Sequence, residues 1–422
     1  MRSRERCAGR AVVPAVALAA LLAGGCSVAA PWADGDRRTV AEALPDELPR
    51  LKAFVAQERG LGWTQDVPVQ ALEEEAFLTA LQADPEGTEE AAGGDAEEPT
   101  WAVGLEDPFD GRAETYAALG LTPSASAYGR AWEDGDATVT GFYDSVTHEV
   151  YLRGQTWTPL VEETLVHELV HALDDQHVDL DALPREGAGP EEATAATAVV
   201  EGSAESVTWA WYDALDADEV DAYERAWGDS APVTADGDEP AYDPLLETLA
   251  LFPYDYGFLA VDAVAADAGP EGVDDLLRDP LTTTEQVLAA RPDPRRLRSL
   301  APPVDVEAPA APAGAEVLGT GGLGLYPLSL LPLAAGAAAD GYLLDPADVV
   351  TYAWAGDAWT TWVDPEDEDL ACTAVVVRLD DARGRDLLAE DLAGWAADAG
   401  QAGAAVTPVG ESDLRLTGCG ER

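Results

Sequence analysis

Residues 158–175, TPLVEETLVHELVHALDD, decide how the rest of the chain is read. The stretch opens as a helix should. Thr158 can cap the first turn, and Pro159 fits the first helical position, where its missing N–H costs nothing. Glu162 and Glu163 place negative charge near the positive end of the helix dipole. Inside the helix, His167-Glu-Leu-Val-His171 sets two imidazoles four residues apart. That spacing leaves them about 40° apart around the axis and roughly 6 Å along it, so both can grip one metal ion. The alternative, two core histidines satisfied by hydrogen bonds, is weaker, because the chain has only 4 histidines and two of them fall at this spacing. Glu168, between the two, should project beside the metal, where a carboxylate can take a proton from an activated water.

A third ligand must come from elsewhere. The segment after Pro190 reads as a long helix over residues 191–215, and it carries Val200-Glu-Gly-Ser-Ala-Glu205. Packed against the first helix, it can present Glu201 to the metal. Glu205, one turn further on the same face, can then hydrogen-bond a ligating imidazole. Val199, Val200 and Ala204 give Glu201 an apolar setting that an ordinary surface carboxylate lacks. Glu205 and His177 compete with it as third ligand. Asp174 and Asp175, three and four residues after His171, either orient that imidazole or face solvent.

With His177 the motif lengthens to HExxHxxxxxH, which superficially resembles the metzincin zinc signature. Metzincins have Gly where this chain has Asp174, and a methionine turn under the metal, whereas the only Met here is Met1. Without the glycine turn the helix is expected to continue, carrying His177 about 15 Å along the axis from His167. Glu201 with Glu205 instead resembles the ExxxD arrangement of the gluzincins, the thermolysin-like zinc peptidases, with Glu in place of Asp.

The order of features also resembles a loosely characterised group of exported bacterial HExxH proteins. The resemblance rests on Gly141-Phe-Tyr-Asp144, the run His167 to His177, Glu201-Gly202, Tyr254-Asp-Tyr-Gly257, Thr283-Thr-Glu-Gln-Val-Leu288 and Trp354-Ala-Gly-Asp357. In that group His-Pro usually follows the Leu288 position, where this chain has Ala289-Ala290. These resemblances imply a zincin-like catalytic region with one zinc ion on His167, His171 and Glu201. They imply Glu168 as general base, a peptide or protein substrate, and Tyr254 or Tyr256 as hydrogen-bond donor to the oxyanion, the alternative for both tyrosines being core packing. Zincins hold extended substrate against an edge strand above the zinc helix, and residues 148–153 suit that role. His148 reads as a cross-strand surface residue.

Outward from this centre, residues 137–144 and 148–153 are rich in β-formers around a short polar turn and predict a hairpin. Residues 47–82 read as helix, strand (residues 67–72) and short helix, and residues 83–100 as a solvated acidic loop. Helices are expected over residues 243–268 and 270–290. The prolines of residues 301–315 mark a linker or crossing loop. A smaller α+β unit over residues 316–422 follows, with strands VVTYAW, AWTTWV, CTAVVVRL and DLRLTGC around one helix. The fold class is therefore α+β: a catalytic region over residues 46–300, then this C-terminal unit.

A hydrophobic content of 47% is enough for real cores. The 81 acidic residues outnumber 24 basic ones, giving a net charge of -57, which repels phosphate backbones and excludes nucleic acid as a partner. Residues 1–25 begin basic and turn apolar from Ala11 to Ala23, too short to span a bilayer and suited to an export signal. Leu21-Leu-Ala-Gly-Gly-Cys26 resembles the bacterial lipobox, which implies a lipid on Cys26, attachment at the outer face of the membrane and a tether over residues 26–45. Ordinary cleavage near Ala30 with secretion is the alternative. Cys7 lies in the signal, so Cys372 and Cys419 remain, and in an oxidising compartment they most simply form one disulfide, or else two separate buried thiols. Beside the peptidase stand two other readings: a non-catalytic envelope lipoprotein with the same zinc held structurally, and an acidic cation-binding wall protein. Glu168 separates the first from an enzyme, because a closed structural site has no use for a base.

Overall fold

The computed structural model describes residues 38–81, 111–135, 139–185, 188–229, 244–291, 293–297, 299–334, 345–398 and 400–422. The signal segment, Cys26 and the acidic loop 83–100 lie outside the described residues. In chain order, helix α1 (Val40–Arg59), strand β1 (Val69–Leu72) and helices α2 (Glu74–Leu81), α3 (Arg112–Leu119) and α4 (Ala125–Gly135) lead to the hairpin β2 (Gly141–Asp144) and β3 (Glu149–Arg153). The HExxH helix α5 (Pro159–Asp175) and the Glu201 helix α6 (Pro190–Asp213) follow. Next come α7 (Ala217–Asp229), α8 (Pro244–Ala250), α9 (Phe252–Ala268), α10 (Pro270–Arg278) and α11 (Thr284–Ala290). The chain closes with β4 (Val317–Gly321), α12 (Leu325–Ala334), the one-turn α13 (Pro346–Val349), β5 (Trp354–Val363), β6 (Leu370–Leu379), α14 (Ala382–Asp398), β7 (Ala402–Val409) and β8 (Asp413–Glu421). The class is α+β, as expected.

Several boundaries move for local reasons. Residues 40–45, expected in a tether, form the first turns of α1. A capping box between Thr39 and Glu42 starts that helix, and Val40 and Ala43 are fully buried. The helix expected over residues 243–268 restarts at Phe252 with Pro253 in its first turn, and the one expected over 270–290 breaks at Asp279, which precedes Pro280 and leaves helical geometry. VVTYAW folds as α13 and a 3-10 turn, and its strand begins only at Trp354.

The small sheet has the order β1-β3-β2. β1 runs parallel to β3, with Val69 opposite Val150, while β2 is antiparallel, with Gly141 opposite Leu152. Residues 148–153 are therefore the central strand rather than an edge, and the edge beside α5 is β2. A Cβ on Gly141 would sit 2.5 Å from the Thr164 methyl of α5, so only glycine lets the strand lie this close to the helix.

Helix α6 divides two cores. Its residues Ala204, Val207 and Trp211 pack with α1, the small sheet and α5, whereas Ala195, Ala198, Val199 and Val200 belong to a larger core with α9, α10 and α11. That larger core also takes in Trp359, Val375, Leu416 and Trp395 from the C-terminal sheet and α14, together with Tyr116 and Leu119 of α3. Residues 316–422 thus share a core with the helices before them, and the largely exposed crossing segment 301–314 separates no independent core. The sheet order there is β4-β5-β6-β8-β7, and the expected disulfide joins Cys372 of β6 to Cys419 of β8 across one register position.

Two arginines of α1 hold both ends of α5. Arg50 pairs with the buried Glu162 near its start. At its end Arg59 donates to Asp174 at 2.8 Å, and Asp174 also accepts from Ser203 of α6 at 2.6 Å. Removing Asp174 would leave Arg59, only 4% exposed in its side chain, with Asp274 at 2.9 Å as its remaining carboxylate and Ser203 without its acceptor. Asp174→Ala is therefore expected to cost about 1.5–3 kcal/mol, the range for a lost hydrogen bond to a charged group, in a urea unfolding titration.

A second polar fastener joins α6 to the C-terminal half. Glu191 accepts from the Thr284 N–H at 2.7 Å and its hydroxyl at 2.8 Å. Burial, with the Asp357 and Glu285 charges adding to it, outweighs those donors and pushes Glu191 up to about 8 from an ordinary 4.5. The folded chain thus holds a proton that the unfolded chain releases. This contribution is full below pH 4.5 and lost as pH rises through about 8. Glu191→Gln, which imitates the protonated acid, should melt above wild type at pH 8, with the gap closing toward pH 5.

Candidate metal centre

The Thr158 hydroxyl accepts from the Val161 N–H and starts α5 as expected, with Pro159 in the first turn. His167 and His171 then share one face, their ring centroids 4.8 Å apart. α6 brings Glu201 to the same point because α6 and α9 cross with their backbones nearly touching. A Cβ on Gly202 would lie 2.3 Å from the Gly257 carbonyl oxygen, and one on Gly257 would lie 2.1 Å from that of Ala198. Glu201 Oε2 stands 3.1 Å from His167 Nε2 and 3.5 Å from His171 Nε2, and the three donors lie within 4.8 Å of one another. Atoms bound at about 2.0–2.2 Å to one tetrahedral ion lie roughly 3.3 Å apart, so this donor set fits a metal with a fourth position left open.

The charges ask for a cation as well. Burial alone would disfavour a charge on His167, yet Glu201, Glu205 and Glu168 together raise its pKa well above the ordinary value. Glu201 is buried too, and the adjacent imidazoles hold its carboxyl well below the usual range. Three carboxylates around two imidazoles thus draw positive charge into the site, and a divalent ion answers that need directly.

Each expected neighbour has a definite place. Glu205 Oε1 lies 3.3 Å from His167 Nδ1, the ring nitrogen pointing away from Glu201, and stands outside the His167, His171 and Glu201 donor set. Glu168 is 7% exposed and stands between the histidines without joining the donor set. Burial raises its pKa, with the Glu201 charge adding to it, opposed by the two histidines and by the nearby Tyr143 backbone N–H. Tyr254 sits at the rim, 39% exposed, its ring 6.2 Å from that of His167. The Glu201 charge above all, then burial and the Glu168 and Glu205 charges, keep its hydroxyl protonated.

Other expectations need correction. Tyr256 is almost fully buried against Phe252 and Tyr326, on the far side of α9 from Tyr254, and faces the core. Asp175 does not orient His171 through its observed bonds: it accepts from the Tyr143 hydroxyl at 2.8 Å and the Leu180 N–H at 3.1 Å, with His148 Nδ1 3.3 Å away. His177 is excluded as a ligand, but not because the helix continues. α5 ends at Asp175, and His177 turns outward to within 2.9 Å of the Gly62 carbonyl. Asp364, Cys372 and Cys419 also converge, but the two sulfurs are bonded to each other and offer no thiolate.

Tyr143 is the site residue that sequence reading missed. Its backbone donor leaves no side-chain signature, and only its place in Gly141-Phe-Tyr-Asp144 hinted at it. Compared with known proteins, the chain matches no family model, no curated protein and no solved structure.

The geometry groups Glu201 with the two histidines and leaves His177 apart. Glu201→Ala should weaken divalent metal binding by about a hundredfold, the upper range even for residues that merely support a ligand. His177→Ala should leave binding unchanged. A competition titration against a chromophoric chelator measures both.

Proposed function

We propose that the protein is an exported zinc-dependent peptidase of the gluzincin type, anchored through Cys26, with His167, His171 and Glu201 as metal ligands. The reading is carried by Glu168: a buried carboxylate set beside a three-donor site and not among its ligands. A purely structural site gives such a group no task. A zinc ion bound there would supply a Lewis acid that acidifies water and polarises a peptide carbonyl.

The chain's own groups do the rest. Glu168 takes the proton of the attacking water and delivers it to the leaving amine, and its raised pKa suits a group that must hold a proton between the two transfers. The Tyr254 hydroxyl, protonated and at the open rim, donates to the oxyanion as the carbonyl becomes tetrahedral.

β2 supports the binding of extended substrate. The Arg153 N–H donates to the Thr140 carbonyl, so the alternation of an antiparallel pair turns the backbone groups of residues 140, 142 and 144 toward β3. Those of Gly141 and Tyr143 turn to the open edge. There Gly141 offers its N–H and carbonyl to an added strand.

Glu168→Gln keeps size and nearly shape while removing the base. It should retain zinc and its melting temperature and lose at least about a hundredfold in hydrolysis of a diverse peptide pool, the low end of what a positioned base contributes. Wild-type protein that holds one zinc and cleaves nothing would favour the structural-lipoprotein reading.

A further inference from the structure

The face of α6 that carries Glu201 and Glu205 does not stop at the metal centre. At helical spacing it continues into Trp209 and Tyr212, both half-buried. α9 behaves in the same way, with Phe258 one turn beyond Tyr254. Ring centroids of Trp209 and Phe258 are 5.8 Å apart, and those of Trp209 and Tyr212 are 5.9 Å apart. Tyr212 lies 5.2 Å from Tyr223 of α7, which stacks at 6.4 Å on Trp227, itself 61% exposed. Aromatic rings therefore run from Tyr254, beside His167, along α9 and α6 to Trp227.

Carboxylates edge this strip. Glu205 is close enough to act electrostatically on both Asp255 and Glu163, and Glu163 accepts from the Tyr223 hydroxyl at 2.7 Å. Asp213 and Glu224 act in the same way on Tyr212. Across α5, α6, α7 and α9 the only Lys or Arg is Arg225 of α7. The surface is thus aromatic, acidic and short of internal cations.

We infer that this strip is the track on which the peptidase takes its substrate, and that the substrate is a cationic peptide whose Arg or Lys side chains lie over Trp209, Tyr212 and Trp227. The inference rests on the peptidase reading and adds the substrate class to it. A guanidinium or ammonium over an indole face gains attraction from the ring quadrupole, its aliphatic stem covers apolar surface, and its head reaches the flanking carboxylates. Acidic and phosphorylated peptides meet repulsion on the same path.

The test measures binding, so that it does not depend on cleavage. Full-length protein carrying Glu168→Gln and loaded with zinc is titrated, in about 0.15 M salt to screen distant charge, into a fluorescein-labelled nine-residue peptide alternating Arg and Leu. A second titration uses the same peptide with Gln for Arg. The Arg peptide should bind at least about tenfold more tightly, and Trp209→Ala should lower its affinity about tenfold, on the order of a partly desolvated cation–π contact. Trp227→Ala, at an exposed position, provides the same comparison if Trp209→Ala fails to fold. Glu366→Gln with Asp369→Asn, which removes two charges from the exposed β5–β6 turn, should change nothing. Equal binding of both peptides, or binding indifferent to the tryptophans, would overturn the inference and mean that cations simply collect on the bulk charge. A dimer that Trp209→Ala dissolves, with peptide binding unaffected, would also overturn it and assign the strip to a second copy. If the Arg peptide binds with the expected dependence but zinc-loaded wild type leaves it intact, the track stands and the peptidase reading falls.

Discussion

The structure depends on one close approach: α6 and α9 cross with Gly202 against Gly257, where either Cβ would fall within 2.3 Å of a backbone oxygen. Contact that tight holds α6 between the two cores. On one side it packs against α5, on the other against the helices and strands of the C-terminal half. Glu201 stands where the two environments meet, and so reaches both imidazoles. The same crossing sets Tyr254 of α9 beside His167 and aligns the aromatic faces of the two helices. A larger residue at either glycine would push α9 away and move Glu201 and Tyr254 together.

Charge scarcity shapes the rest. With 24 basic residues against 81 acidic ones, most carboxylates can find no partner and must stay in water. Two of the few cations hold α5: Arg50 at Glu162 and Arg59 at Asp174, so the helix is fixed at both ends from α1. Among the described residues no arginine or lysine is paired with Glu168, Glu201 or Glu205 at the centre of that helix. Glu168, Glu201 and Glu205 surround two histidines, an arrangement that a divalent ion would neutralise. The proposed catalytic centre and the support behind it thus follow from one constraint, the need to neutralise a few buried acids in a chain with little positive charge.

The sequence was most legible where chemistry and helix geometry coincide. His167, Glu168 and His171 announce themselves by spacing, and the apolar flanks of Glu201 mark it as inward-facing. Glu-Gly and Tyr-Asp-Tyr-Gly were recognised as patterns, but their meaning was not: each glycine acts on the other across about fifty residues, and no local rule exposes that. The parallel pairing of β1 with β3 is long-range in the same way, so residues 148–153 looked like an edge when they are central. Tyr256 was misplaced because a pattern of two tyrosines does not say which side of the helix faces the core. β7, with its alternation of small residues, carries too little apolar signal to be read as a strand. The shared core of the two halves escaped because proline-rich linkers and crossing loops look alike in sequence.

The most direct test of the central claim is anomalous diffraction at the zinc edge from crystals of the full-length protein grown with one equivalent of zinc. The account predicts one dominant peak, about 2.0–2.2 Å from His167 Nε2, His171 Nε2 and Glu201 Oε2, with Glu168 beside it and not bound to it. No ordered peak at that point, or a peak held instead by Glu168 or by His148 and Asp175, would contradict it.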